Sequence, residues 1–221
     1  MSNLVQIAYL ISSILFIMGI KFLGKTKDAR KGNMLSAVGM LLAIVATLVN
    51  LNLATFPEML ACVLLGGAIG LYYARKVEMT QIPEMVALFN GFGGLASLGV
   101  ALSDHFLKTQ VQGVEIDTVN SVSIIASVLI GGVTFTGSIV AWMKLNGKVS
   151  GQPITFKGQH ALNLVLLLSF VVVGVFTFLY QADPVYITLL VGISLLVGIL
   201  IVIPIGGADM PVVISLLNSF T

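Results

Sequence analysis

The sequence predicts an all-α fold, a polytopic membrane helix bundle of seven transmembrane helices plus the start of an eighth, with the amino terminus outside. Three observations carry this. Mean hydropathy is +1.07. Hydrophobic residues make up 57% of the 221 positions and charged residues only 9%. Apolar runs of about 20 residues recur along the chain, the length an α-helix needs to cross a bilayer. A soluble domain of this size has no use for such a composition. Helices are the form to expect, because backbone groups inside hydrocarbon must be satisfied within their own segment. The period-two alternation of a β-barrel is missing.

The first apolar run covers residues 4–22. No basic residue precedes it and no small-residue cleavage pattern follows, so it reads as a retained helix rather than a signal peptide, which excludes secretion. Further runs cover residues 34–53, 59–73, 85–102, 119–143, 161–180 and 185–205. An eighth begins at Pro211, and the sequence stops at Thr221, about half a span later. The expectation is therefore a longer parent protein. Connections are short and hold nearly all the charge, so residues 1–221 read as a single transmembrane domain.

Sidedness follows from the basic residues, which collect in cytoplasmic loops. Lys21, Lys25, Lys27, Arg30 and Lys31 flank the first connection, Arg75 and Lys76 the third, and Lys144, Lys148 and Lys157 the fifth. Only Lys108 falls in an even-numbered connection. The amino terminus is thus expected outside and residues 206–210 in the cytoplasm. A net charge of +2 is explained by topology and points to no nucleic acid.

Polar residues inside the spans need a partner or a purpose. Glu84 and Asn90 stand in VEMTQIPEMVALFNGFGG, and Asn218 stands in GGADMPVVISLLNS. In both stretches an asparagine follows a proline by seven residues, Pro83 with Asn90 and Pro211 with Asn218. Proline suits a first helical turn and acids suit the positive end of the helix dipole. Seven residues are about 10 Å of rise, which puts both amides at a similar depth. They could bond each other or hold a file of water, and interhelical packing is an even alternative for either alone. Thr134, Thr136 and Ser138 could extend a polar path, though hydroxyls in helices usually bond back one turn.

The remaining features read as structural. Gly66 and Gly70, and the glycines at 91, 93, 94, 131, 132 and 137, suit close helix packing. Cys62, the sole cysteine, is expected in packing, which excludes an internal disulfide and a thiolate metal site. His105 and His160 are expected in solvated loops on opposite sides, too far apart to share a metal. Trp142 reads as an interfacial anchor. No catalytic cluster of side chains is visible.

KVEMTQIPEMVALFNGFGGLAS, GGVTFTGSIVAWMKLNGK and IGGADMPVVISLLNS resemble the amino-terminal membrane portion of the β subunit of proton-translocating NAD(P) transhydrogenase, with the same order of segments over the whole chain. The resemblance implies a membrane domain that conducts protons while hydride passes from NADH to NADP⁺ in soluble domains outside this chain. This chain would bind no cofactor, NADP(H) and NAD(H) being held elsewhere in the complete enzyme. The implied partners are an α component with membrane helices and an NAD(H) domain, an NADP(H) domain absent from this chain, the lipid of a bacterial cytoplasmic (inner) membrane, and a second copy of the complex in a homodimer.

Carried over by position, Asn90 falls where many members have a proton-transferring histidine. Asn218 matches a family asparagine near the same path, Ser138 matches a serine, and Asp209 matches the aspartate of the loop thought to communicate with the NADP(H) domain. Glu84 reads as a residue of the path's mouth. An amide does not titrate near neutrality, so Asn90 can orient water without holding the proton, and the resemblance places the carrier on an α-subunit histidine. A secondary transporter or a structural subunit of another membrane complex are the alternatives. The transporter predicts broken helices and an inverted repeat.

Overall fold

A computed structural model describes residues 3–50 and 56–220. They form eight α-helices and, among the described residues, no strand: α1 Asn3–Leu23, α2 Ala29–Asn50, α3 Phe56–Lys76, α4 Ile82–Phe106, α5 Thr118–Leu145, α6 Gln159–Leu179, α7 Pro184–Val202 and α8 Met210–Phe220. The first seven are long and apolar enough to cross a membrane. Residues 51–53 of the second expected span lie outside the described residues.

Most helix ends extend past the apolar runs, whereas α6 stops at Leu179 and α7 at Val202, short of the expected residues 180 and 205. α2 begins at Ala29, ahead of Arg30 and Lys31, and α4 continues through Asp104 and His105 to Phe106. Hydropathy marks the stretch that sits in hydrocarbon, while a helix persists into the interface until a cap or turn ends it.

The described residues fall into two compact units divided between Tyr73 and Ala74. In the first, α1 and α2 pair through small residues. A Cβ on Gly32 would lie 2.7 Å from the Gly19 carbonyl oxygen, so only glycine permits this approach. Ser12 Oγ donates to the Gly39 carbonyl at 2.6 Å, and Tyr9 and Thr47 bond through their hydroxyls at 2.8 Å. Lipid tails are as apolar as leucine, so close van der Waals contact and such bonds are what hold membrane helices together. On α3 the expected glycine packing is not met within the described residues, none of which stands within 4 Å of a Cβ built on Gly66 or Gly70. Cys62, on the same helix, is exposed rather than packed.

In the second unit α5 is the central helix, packed by α4, α7, α8 and α6. Its start is set by Asp117, whose carboxylate accepts from the Asn120 backbone N–H at 3.3 Å and from the Asn120 side-chain amide. The Asn120 backbone bond, ahead of its side-chain bond, holds this exposed carboxyl below the usual range. The cap is therefore in place above the ordinary carboxylate pKa and lost as pH falls through the lowered folded value. Asp183 caps α7 through Val185 N at 3.0 Å, with Pro184 in the first turn.

Gly94 and Gly131 bring α4 against α5: a Cβ on either would lie 2.8 Å from the other's carbonyl oxygen. Gly132 on α5 receives Ser194 of α7, and Thr136 Oγ1 donates to the Leu195 carbonyl at 2.8 Å. Two apolar clusters fill the unit. One centres on Leu98, Val128, Ile187 and Leu190, the other on Ala87, Ala141, Val202 and Met210.

Candidate functional site

Asn90 lies on α4 seven residues after Pro83, and Asn218 lies on α8 seven after Pro211. Both line one groove of about 440 Å³, together with Val86, Phe89, Gly93 and Ser97. None of the described residues stands within 4 Å of a Cβ built on Gly93, which leaves that wall of the groove open. The matching proline registers thus end in a shared space.

Ser138 enters from α5. Asn90 Nδ2 donates to Ser138 Oγ at 2.8 Å, and Ser138 is fully buried. The approach depends on Gly91, whose Cβ would stand 3.3 Å from the Ser138 Cβ and 3.5 Å from the Phe135 carbonyl oxygen. One turn earlier on α5, Thr134 is fully buried and its hydroxyl has no partner among the described residues. Thr136 turns the other way, bonding the carbonyls of Gly132 and Leu195 at 3.0 and 2.8 Å. Of the three hydroxyls named from sequence, Ser138 bonds the Asn90 amide, Thr134 stands against Gly94 of α4 with no hydrogen-bond partner among the described residues, and Thr136 fastens α5 to α7.

At the end of the bundle nearest Asn90, Glu84 occupies the first turn of α4, and its Oε2 accepts from Asn146 Nδ2 at 2.7 Å. The start of α4 is thereby tied to the end of α5. Asp209 is exposed, in a 3₁₀ turn over Gly207–Asp209 that leads directly into α8. That turn is anchored, because Gly207 N donates to the Gly151 carbonyl at 2.8 Å and Ile154 N to the Ile203 carbonyl at 3.3 Å.

The residue that sequence reading missed here is Lys144. Counted among loop cations, it is 4% exposed. Its ammonium donates to three backbone carbonyls, of Gln152 at 3.1 Å, Ile203 at 2.6 Å and Ile205 at 2.8 Å. An ammonium has three protons and no acceptor, so its hydrogen-bonding capacity is fully used. Among the described residues no carboxylate pairs with it. Lys144 joins the end of α5, the α5–α6 connection and the α7–α8 connection that carries Asp209. Trp142, half-buried, lies 4.3 Å below the Lys148 ammonium, a cation–π contact suited to the interface.

His105 also departs from expectation. It sits in the last turn of α4 and is 2% exposed, not solvated in a loop, and its Nε2 has no partner among the described residues. His160 is exposed in the first turn of α6. No group of three metal-ligating side chains occurs among the described residues.

The arrangement offers hydroxyls and amides that can orient water, and it contains no nucleophile–base pair. The family model described as NAD(P) transhydrogenase beta subunit matches residues 5–221. Two curated relatives, both named NAD(P) transhydrogenase subunit beta and both from Rhodospirillum rubrum, one of them from a defined strain, are 37% identical over 223 residues. The match covers 99% of this chain and 48% of each relative, so the chain spans about half the length of the curated relatives it matches.

Proposed function

The chain belongs to the NAD(P) transhydrogenase beta subunit family, and on that premise we propose that it is the membrane part of a proton-translocating transhydrogenase. It conducts protons across a bacterial cytoplasmic membrane while hydride passes from NADH to NADP⁺ in soluble domains outside this chain. The observation that carries this reading is the groove shared by Asn90 and Asn218, with Asn90 bonded to buried Ser138. A polar space at that depth in a bundle this apolar has a cost unless it is wet and used.

In this reading the amino terminus faces outward and the Glu84–Asp209 end faces the cytoplasm, as the distribution of basic residues requires. Asn90, Ser138 and Asn218 orient water in the groove. None of them titrates near neutral pH, so the proton is held by a group on the α component, whose membrane helices complete the path. Asp209, on its anchored turn, contacts the NADP(H) domain, and the complete complex is a homodimer. The chain itself binds neither NAD(H) nor NADP(H). The alternative of a transporter with broken helices is disfavoured by α4 and α5, which run unbroken through their glycines for 25 and 28 residues.

The test is reconstitution of the complete complex in vesicles, reading NADPH formation and internal pH together. A proton signal that tracks turnover and collapses both ways with an uncoupler supports the reading. NADPH formation with no proton signal sinks it.

Two substitutions refine the roles. In Glu84→Gln the amide oxygen still accepts from Asn146, so the α4–α5 tie survives and only the charge is lost. Most proton pumping is expected to remain. Its complete loss in an assembled complex would make Glu84 the carrier. Asp209→Asn keeps the 3₁₀ turn, whose anchors are backbone groups, and is expected to change NADP(H) affinity or release. Unchanged nucleotide binding and turnover would reduce the turn to a connector.

A further inference from the structure

Ser97 lines a second groove as well as the first. This second space, of about 580 Å³, is bounded on α4 by Ser97, Val100 and Asp104 and on α5 by Asn120, Ser123 and Ser127. Asn90, Ser97 and Asp104 recur every seven residues, so they lie on one face of α4, two turns apart. Together they cover about 21 Å of rise, some two-thirds of a hydrocarbon core of about 30 Å. α5 runs antiparallel beside them. Ser138 faces Asn90 at one end, and Asn120 faces Asp104 at the other.

Such a stripe is expensive against lipid. Ser123 offsets part of its cost by bonding back to the Val119 carbonyl, and Asn120 by capping with Asp117. The stripe as a whole remains polar along a bundle whose exposed large side chains include many leucines, isoleucines and valines. Its far end is an ion pair, Lys108 Nζ to Asp104 Oδ2 at 2.8 Å, with side chains 29% and 39% exposed. A charge pair left that open belongs in water rather than hydrocarbon.

We propose that this α4–α5 stripe is the second half of the water path, so that protons reach Asn90 from the Asp104 end through Ser97 and Ser127. The inference rests on the function proposed above and adds where the path leads. The two grooves meet at Ser97, which makes that hydroxyl the junction between the halves. Water, carrying protons along its hydrogen bonds, is the ligand, and both grooves are lined by enough hydroxyl, amide and carboxylate groups to hold it.

The test uses the complete complex with Cys62→Ser as background and single cysteines at Ser97, Ser127, Leu95 and Ala126. Leu95 and Ala126 lie at matching depths and line neither groove. A membrane-impermeant, water-requiring thiol reagent is expected to modify Ser97→Cys and Ser127→Cys several times faster than the two controls, and modification is expected to block proton uptake. Equal rates at all four positions overturn the proposal. Fast modification that leaves proton uptake intact also overturns it, since the wet space would then not be the path. A parent complex that moves no protons refutes the function proposed above, while the labelling pattern still decides whether the stripe is wet.

Discussion

Replacing Asn90 or Asn218 by Leu is expected to lower proton-coupled turnover by at least about tenfold, equivalent to ~1.4 kcal/mol on the limiting barrier. Leucine has the same number and branching of side-chain heavy atoms as asparagine, so the groove keeps its outline and loses its polar lining. Water then has too few partners to remain. The two variants differ in their structural consequences. Asn90→Leu also removes the donor to Ser138 Oγ, and that hydroxyl can turn to a carbonyl on its own helix. Asn218, by contrast, is exposed on α8.

Hydride exchange confined to the soluble domains is expected to survive in both variants, which separates a dry path from a misfolded complex. The measurement is vesicle pH change alongside both reactions. Unchanged coupled rates would mean that the two amides serve packing.

How far the sequence led is best judged from particular residues. Seven spans were legible because a bilayer demands about 20 apolar residues in a row and hardly any other structure does. The groove that Asn90 and Asn218 both line could be anticipated because two prolines set the same register at two helix starts. The Asn90–Ser138 bond could not, since it depends on the close approach of α4 and α5 at Gly91. Glycine spacing alone did not report who packs with whom: Gly94 and Gly131 make contact, and Gly66 and Gly70 meet none of the described residues.

His105 and Lys144 were misread for one reason. A charged or titratable residue at the end of an apolar run looks solvated, and its burial is decided by segments far away in sequence. For Lys144 a signal did exist. It follows Gly137 and Ala141 at seven and three residues, which places it on the same buried face of α5.

Lys144→Met is the substitution expected to damage the fold most. Methionine nearly matches the length of the lysine stem and packs in the same space, so the change isolates the ammonium. Three carbonyl oxygens, on Gln152, Ile203 and Ile205, lose their shared donor at once. A buried acceptor left unsatisfied costs about 1–3 kcal/mol, and water reaching some of them from the interface lowers the sum, so a loss of about 3 kcal/mol is expected. Detergent-solubilised protein should show it as a markedly lower midpoint of thermal unfolding. Arginine is not a substitute, because its planar fork cannot aim three N–H groups at carbonyls arranged around a point. Lys144→Arg is therefore expected to recover only part of the loss. The consequence reaches the site, since Ile203 and Ile205 precede the Gly207–Asp209 turn and the ammonium holds that connection against the end of α5. In Lys144→Met the turn is expected to loosen, and backbone amide exchange at Gly207 and Asp209 to accelerate, before the groove at Asn90 is disturbed. Wild-type stability and exchange in Lys144→Met would show that the three bonds contribute nothing net, the ammonium's desolvation having cancelled them.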